Sequence, residues 1–292
     1  MNSRLRWVLK KLSRSGIAIG TLAIGGLTGL NKSKREQSIR VLTYHRFGNI
    51  PRDPFCMSLG NFQSQIAYLA NKKIAISLTE FEDILYYGLP IRPGAVLVTI
   101  DDGCCSTFER ALPILRDYEV PAVAFVTPSL IRDISSGDLS IFRGHSIVED
   151  YMSWRELEQL VGARVSIGSH SWTHHSLGRM SPSQVEEEVN CSRDILEQRL
   201  GIPIKAFAYP YGTRADFNNT TRRILKEAGY RFAFTSQHGS IRQGDDPLCL
   251  PRIKVERGEG LWLFKLLLRG GLDAWSWVDD ILWKLQATEH EP

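Results

Sequence analysis

The chain has 292 residues, 43% hydrophobic and 23% charged, proportions that exclude a disordered, collagen-like or multi-span membrane protein. Its formal net charge of +4 hides an asymmetry: residues 1–40 hold nine Lys/Arg against one acid, Glu36, so the remainder is net acidic. The basic charge belongs to a leader, and with no aromatic-interleaved basic patch in the body, no nucleic-acid partner is expected.

In the leader, Leu5, Val8, Leu9 and Leu12 share one helical face and Arg4, Arg6, Lys10, Lys11 and Arg14 occupy much of the rest. That pattern predicts a basic amphipathic helix on an anionic membrane surface. The uncharged stretch 15–31 would span about 26 Å as a helix, short of the ~30 Å hydrocarbon core, and holds five glycines. The expectation is a membrane-associated protein, on the cytoplasmic side. Export with an uncleaved N-terminal anchor is the alternative, and a helix packed on the domain is the bland one. The five cysteines, odd in number and without Cys-x-x-Cys spacing, point to a reducing compartment.

Short apolar runs then alternate with amphipathic stretches. Strands are predicted at 40–44, 74–77, 95–100, 122–126, 165–167, 206–208, 232–235 and 253–255. Capping boxes at Ser153/Glu156 and Ser181/Gln184 start two of the helices between them. The alternation predicts an α/β fold with a parallel sheet, open or closed into a barrel. Residues 133–149 read as an irregular loop. Beyond the body, helices are expected at 261–268 and 275–285, the second carrying a Val278, Ile281, Leu282, Leu285 stripe. Four of the seven tryptophans (Trp262, Trp275, Trp277, Trp283) lie there. Three segments follow: a leader 1–37, a body 38–258 and a helical extension 259–292.

Four features at predicted strand ends carry chemistry. Thr99-Ile100-Asp101-Asp102-Gly103 places two carboxylates where a buried strand turns. His170-Ser171-Trp172-Thr173-His174-His175 puts three of seven histidines within six residues. One carboxylate and two imidazoles suit a zinc, cobalt or nickel ion and leave positions open for water and substrate. A second carboxylate beside them is placed to accept a proton. Phe207-Ala208-Tyr209-Pro210-Tyr211-Gly212 runs into a turn whose N–H groups can face an oxyanion, and His45 closes the first strand. The C-terminal ends of parallel barrel strands share one face, so the four features converge.

With Thr99–Gly103 and His170–His174 in this order, residues 38–256 resemble the polysaccharide deacetylases with a NodB-homology domain, carbohydrate esterase family 4. The resemblance implies a distorted (β/α)7 barrel. It implies Asp101 as general base, Asp102, His170 and His174 as ligands of a divalent metal (usually zinc, sometimes cobalt or nickel), and the Tyr211 N–H as an oxyanion donor. The chain departs from the pattern: the arginine of the third motif is Ala208, no Asp-x-x-Asp-Trp occurs, and no late Leu-x-His follows. The missing histidine is similar to the permuted exopolysaccharide poly-N-acetylglucosamine deacetylases, which implies His45 as the catalytic acid. There the second metal histidine is His174 or, one residue on, His175. Arg252 stands where it can replace the missing arginine, and is counted with Pro210 and Trp172 as substrate-binding. The implied substrate is an acetylated polysaccharide or lipid-linked glycan. Another amide hydrolase, or an impaired carbohydrate-binding relative, is the alternative reading.

Overall fold

The computed structural model describes residues 13–23, 37–51, 53–132, 150–276 and 279. The expected loop 133–149, the Leu5–Leu12 stripe and all but Trp275, Ser276 and Asp279 of the last helix lie outside them. Elements are numbered in chain order. Residues 13–23 form helix α1. Seven parallel strands build the main sheet: β1 (Arg40–Tyr44), β4 (Val96–Ile100), β5 (Ala122–Val126), β6 (Val165–Ser169), β7 (Ala206–Ala208), β8 (Phe232–Phe234) and β9 (Ile253–Lys254). Their order is β8-β7-β6-β5-β4-β1-β9. A single bridge, Phe234 to Leu250, links β8 to the segment entering β9. The sheet therefore curls, and backbone hydrogen bonds from Ala233, Thr235 and Leu250 tie β8 to the segment before β9. Two short strands, β2 (Arg46–Phe47) and β3 (Cys56–Met57), pair beside the mouth.

The predicted strand at 74–77 is a correction. Only Ala75 bridges Val96, because Ser77 already caps the next helix by accepting from the Glu80 N–H. The chain has no residues left to extend the pairing. The other seven predicted strands are present, with ends moved by a residue or two, and both capping boxes form.

Helices α2 (Leu59–Lys72), α3 (Leu78–Tyr87), α4 (Leu112–Asp117), α5 (Trp154–Val161), α6 (Pro182–Leu200), α7 (Asn219–Glu227) and α8 (Leu261–Leu268) follow. Alternate strand residues serve two cores, as strand geometry requires. Leu42, Val98, Ala124, Phe207 and Ala233 pack with the helices. Val41, Leu97, Val123, Phe125, Ala208 and Phe234 fill the other face.

Leader, body and tail pack together. Arg14 on α1 is 1% exposed. It donates to Glu259 at 2.7 Å and to the Lys254 carbonyl at 2.9 Å, and lies 3.5 Å from Glu256. Arg14 was predicted to lie on the polar face of a membrane-surface helix; here it is buried in the domain. At Gly271 a Cβ would stand 3.0 Å from that of Ala18, so the glycine lets the tail cross α1. Among the described residues no helix is long and apolar enough to cross a membrane.

Candidate active site

Parallel pairing aligns the C-terminal ends of β1, β4, β6 and β7, and the four sequence features meet there. Asp101 and Asp102 leave β4 together. In an extended strand, neighbours point to opposite faces. Asp102 breaks that rule with φ of 75°. Gly103, also left-handed at φ 77°, sits where a Cβ would press Val126 at 3.2 Å. Four of the seven non-glycine residues with positive φ among those described are Asp102, Ser171, His174 and Tyr211. Backbone strain of this kind gathers where surrounding structure fixes a functional geometry.

His170 is held by its backbone N–H on the Val126 carbonyl at 2.8 Å, and its Nδ1 lies 2.7 Å from the Ala208 carbonyl. A carbonyl accepts only, so Nδ1 carries the proton and Nε2 presents its lone pair to the mouth. There Asp102 Oδ1 stands 3.6 Å from His170 Nε2 and 3.5 Å from His174 Nε2. These three residues form a group whose ligand atoms all lie within 4.8 Å of one another. Ligands about 2.0–2.2 Å from a tetrahedral ion stand roughly 3.4 Å apart, so the spacing and the donor set fit such a cation. His175 is exposed, and its Nδ1 pairs with Thr173 Oγ1 at 2.5 Å. Of the two alternatives, the structure gathers His174 and leaves His175 outside.

Asp101 is buried beside this group, facing Arg252. The guanidinium donates to Oδ1 and Oδ2 at 2.8 Å each, and also to Thr99 Oγ1 and the Thr235 carbonyl. With these four hydrogen bonds and 2% exposure, the Arg252 guanidinium, expected to bind substrate, is turned onto Asp101 and away from solvent. Burial would raise the Asp101 carboxyl, but the charges of Arg252, His170 and His45 outweigh it and hold the group below the usual carboxylate range. For Asp102 burial acts in the same direction and is overcome by the His170 and His174 bonds, leaving it well below that range.

His45 follows β1, its ring 4.8 Å from that of Phe55. Burial lowers its pKa, with Asp102 and Asp101 pulling the other way. The Tyr211 ring meets His174 edge-on at 5.2 Å. Pro210 is buried in the turn, where its carbonyl accepts from Gly212 at 2.6 Å. Gly212 is required there: a Cβ would stand 2.6 Å from the Ser236 nitrogen. Trp172 is half-buried at the rim.

Sequence reasoning missed Glu188. From α6 it accepts the Trp172 and Thr173 N–H groups, each at 2.9 Å, and the Thr173 hydroxyl. The signal was present: Glu188 shares the buried face of α6 with Val185, Val189, Ser192 and Leu196. Asp216 was missed too; it accepts from Ser176 at 2.6 Å and from Thr213, tying the histidine loop to the Tyr211 loop.

Residues 90–233 match the sequence family described as Polysaccharide deacetylase. A poly-beta-1,6-N-acetyl-D-glucosamine N-deacetylase of Staphylococcus aureus (strain MRSA252) is 25% identical over 215 residues, 69% of this chain and 68% of the relative. The Streptococcus pyogenes deacetylase PplD, solved in complex with acetate, superposes with a TM-score of 0.68 at 22% identity, covering 80% of this chain and 97% of that one. IcaB from Ammonifex degensii superposes at 0.64 with 23% identity, over 80% and 97% of the two chains.

Proposed function

Because the chain belongs to the polysaccharide deacetylases of the NodB type, we propose that it removes N-acetyl groups from a β-linked N-acetylglucosamine polymer, or a lipid-linked form of it, in a divalent-metal-dependent reaction. One observation carries this reading: a buried, arginine-paired carboxylate lies beside an Asp-His-His group at one mouth. A binding module has no use for a positioned base. The likeness to the staphylococcal poly-N-acetylglucosamine deacetylase supports the sugar.

Asp102, His170 and His174 would hold the ion, with zinc favoured by the N,N,O donor set and cobalt or nickel able to replace it. Bound there, it would supply Lewis acidity toward the acetyl carbonyl and lower the pKa of water. Asp101, kept ionised by Arg252, takes a proton from the attacking water. The Tyr211 N–H donates to the oxygen that gains charge. His45, in its protonated form, gives a proton to the departing amine. Trp172 offers a ring to the sugar at the rim.

The basic leader supports attachment to an anionic membrane surface, with the cytoplasmic side favoured and export with an uncleaved anchor as the other arrangement. The body 38–258 would be the catalytic unit, with 1–37 and 259–292 as its extensions. Acetate release from β-1,6-linked N-acetylglucosamine oligomers, abolished by a chelator and restored by Zn²⁺, tests the reaction. Persistent activity in chelator sinks the metal, and release only from other amides sinks the substrate.

A further inference from the structure

Gln65 shares the buried face of α2 with Phe62, Ile66 and Leu69 and is fully buried. A primary amide on an apolar face costs free energy unless both of its ends are bonded. Here both are. Its Oε1 accepts the Tyr44 hydroxyl at 2.9 Å, and its Nε2 donates to the Glu259 carbonyl at 2.7 Å. Tyr44 is the residue before His45, and its own carbonyl accepts the Asp101 N–H at 2.9 Å.

Glu259 ends a turn, 256–259, that closes on itself. The Glu256 N–H donates to Glu259 Oε2 at 2.9 Å, and the Glu259 N–H to the Glu256 carbonyl at 3.1 Å. Both acids are buried, and two buried like charges this close repel unless a cation joins them. Arg14 of α1 supplies one to both.

From the same turn Arg257 reaches the other side of His45. Its N–H donates to the Pro54 carbonyl at 2.9 Å. Its guanidinium donates to the Ile50 carbonyl and to Asn49 Oδ1, each at 2.6 Å. Phe55, next to Pro54, carries the ring that meets His45. The turn thus holds the neighbours of His45 from two directions, through Gln65 to Tyr44 and through Arg257 to the segment before Phe55. Asp101 has a clamp of its own in Arg252, so slack in the turn falls on His45.

We propose that Arg14 and Gln65 are positioning residues for His45: α1, docked through Arg14, fixes the turn 256–259, and the turn fixes the imidazole at the mouth. The imidazole is in place only while the leader helix is seated on the domain. The inference rests on the deacetylase reading, with His45 as the acid.

The test assays the full chain and two double variants, Arg14→Met with Glu259→Gln and Tyr44→Phe with Gln65→Met. Each replaces a bonded pair by less polar groups of similar size, which keeps the fold, and each is checked for a cooperative unfolding transition. N-acetylglucosamine oligomers release an amine that must gain a proton to leave. For them kcat should fall about 10- to 100-fold at unchanged KM, the range for a misplacement made away from the chemistry. 4-Nitrophenyl acetate releases a phenolate that needs no proton, and its turnover should stay at the wild-type value. Added to His45→Ala, either pair should cost no further activity on the oligomers. Wild-type kcat on the oligomers in either folded pair overturns the inference and leaves the deacetylase reading standing. So does an equal loss on both substrates, which marks a general loosening of the mouth. Wild-type protein that releases no acetate from the oligomers sinks the deacetylase reading, and the inference with it.

Discussion

Arg252 meets Asp101 through two 2.8 Å hydrogen bonds across 151 residues of sequence. The guanidinium rises inside the curled sheet, past Thr99 and 5.7 Å from the Phe125 ring centre. On the neighbouring face Ala208 is fully buried and small. The guanidinium that faces Asp101 thus comes from the residue just before β9.

Removing the guanidinium leaves a buried carboxylate unpaired. Arg252→Met should cost about 3–5 kcal/mol in denaturant unfolding, the usual penalty for breaking one side of a buried pair. Asp101→Asn should keep its metal and lose about 10²–10⁴-fold in acetate release. Adding Ala208→Arg to Arg252→Met should recover part of the activity. Wild-type stability in Arg252→Met would refute the pairing.

Metal retention separates the histidines. Asp102→Asn and His174→Ala should lose bound zinc on dialysis, whereas His175→Ala should keep it, because the exposed His175 ring already pairs with Thr173. Metal analysis by mass spectrometry decides; zinc lost from His175→Ala and kept by His174→Ala would reverse the assignment.

Glu188 should act on the metal through the backbone it holds. Glu188→Gln keeps the shape but loses charge-assisted acceptance from two N–H groups. Metal affinity should fall about 10–100-fold, as for outer partners of metal ligands. A Co²⁺-loaded sample should show altered d–d absorption. An unchanged spectrum and affinity would reduce Glu188 to helix packing.

The leader contact predicts that α1 is part of the fold. Arg14→Ala takes the guanidinium away from the fully buried Glu259, and should destabilise the protein by about 3–5 kcal/mol. Arg14→Met with Glu259→Gln should regain much of that. Equal denaturation midpoints for wild type and Arg14→Ala would show that α1 detaches freely in solution.

The His238–Asp279 pair predicts an acid-side loss of stability. Burial depresses the pKa of His238 in the folded protein, beyond what Asp279 restores. The unfolded chain therefore binds the proton more readily. This contribution is fully present above the ordinary histidine value of about 6.5 and is lost as pH falls through the lower folded value. His238→Gln should show a smaller drop in Tm from pH 7 to pH 5 than wild type. A larger drop would reverse the sign.

The sequence by itself determined the parallel α/β pattern and the two metal-type motifs. It also placed both capping boxes and the convergence of strand ends. These are local: apolar period, cap spacing and runs such as Asp101-Asp102 or His170–His174 are set within a few residues. Tertiary structure decided the rest. Arg252 was legible as a spare arginine, but its burial against Asp101 depends on β9 lying next to β1 and on the small residue at 208. Glu188 looked like one acid in a run of three until the helix face that holds Val185 and Val189 turned it inward. Arg14 fitted a membrane-surface stripe equally well, and only Glu256 and Glu259, more than 240 residues away, gave it a buried partner. Such pairings depend on strand order and on which helix face is covered, and neither leaves a local trace in the chain.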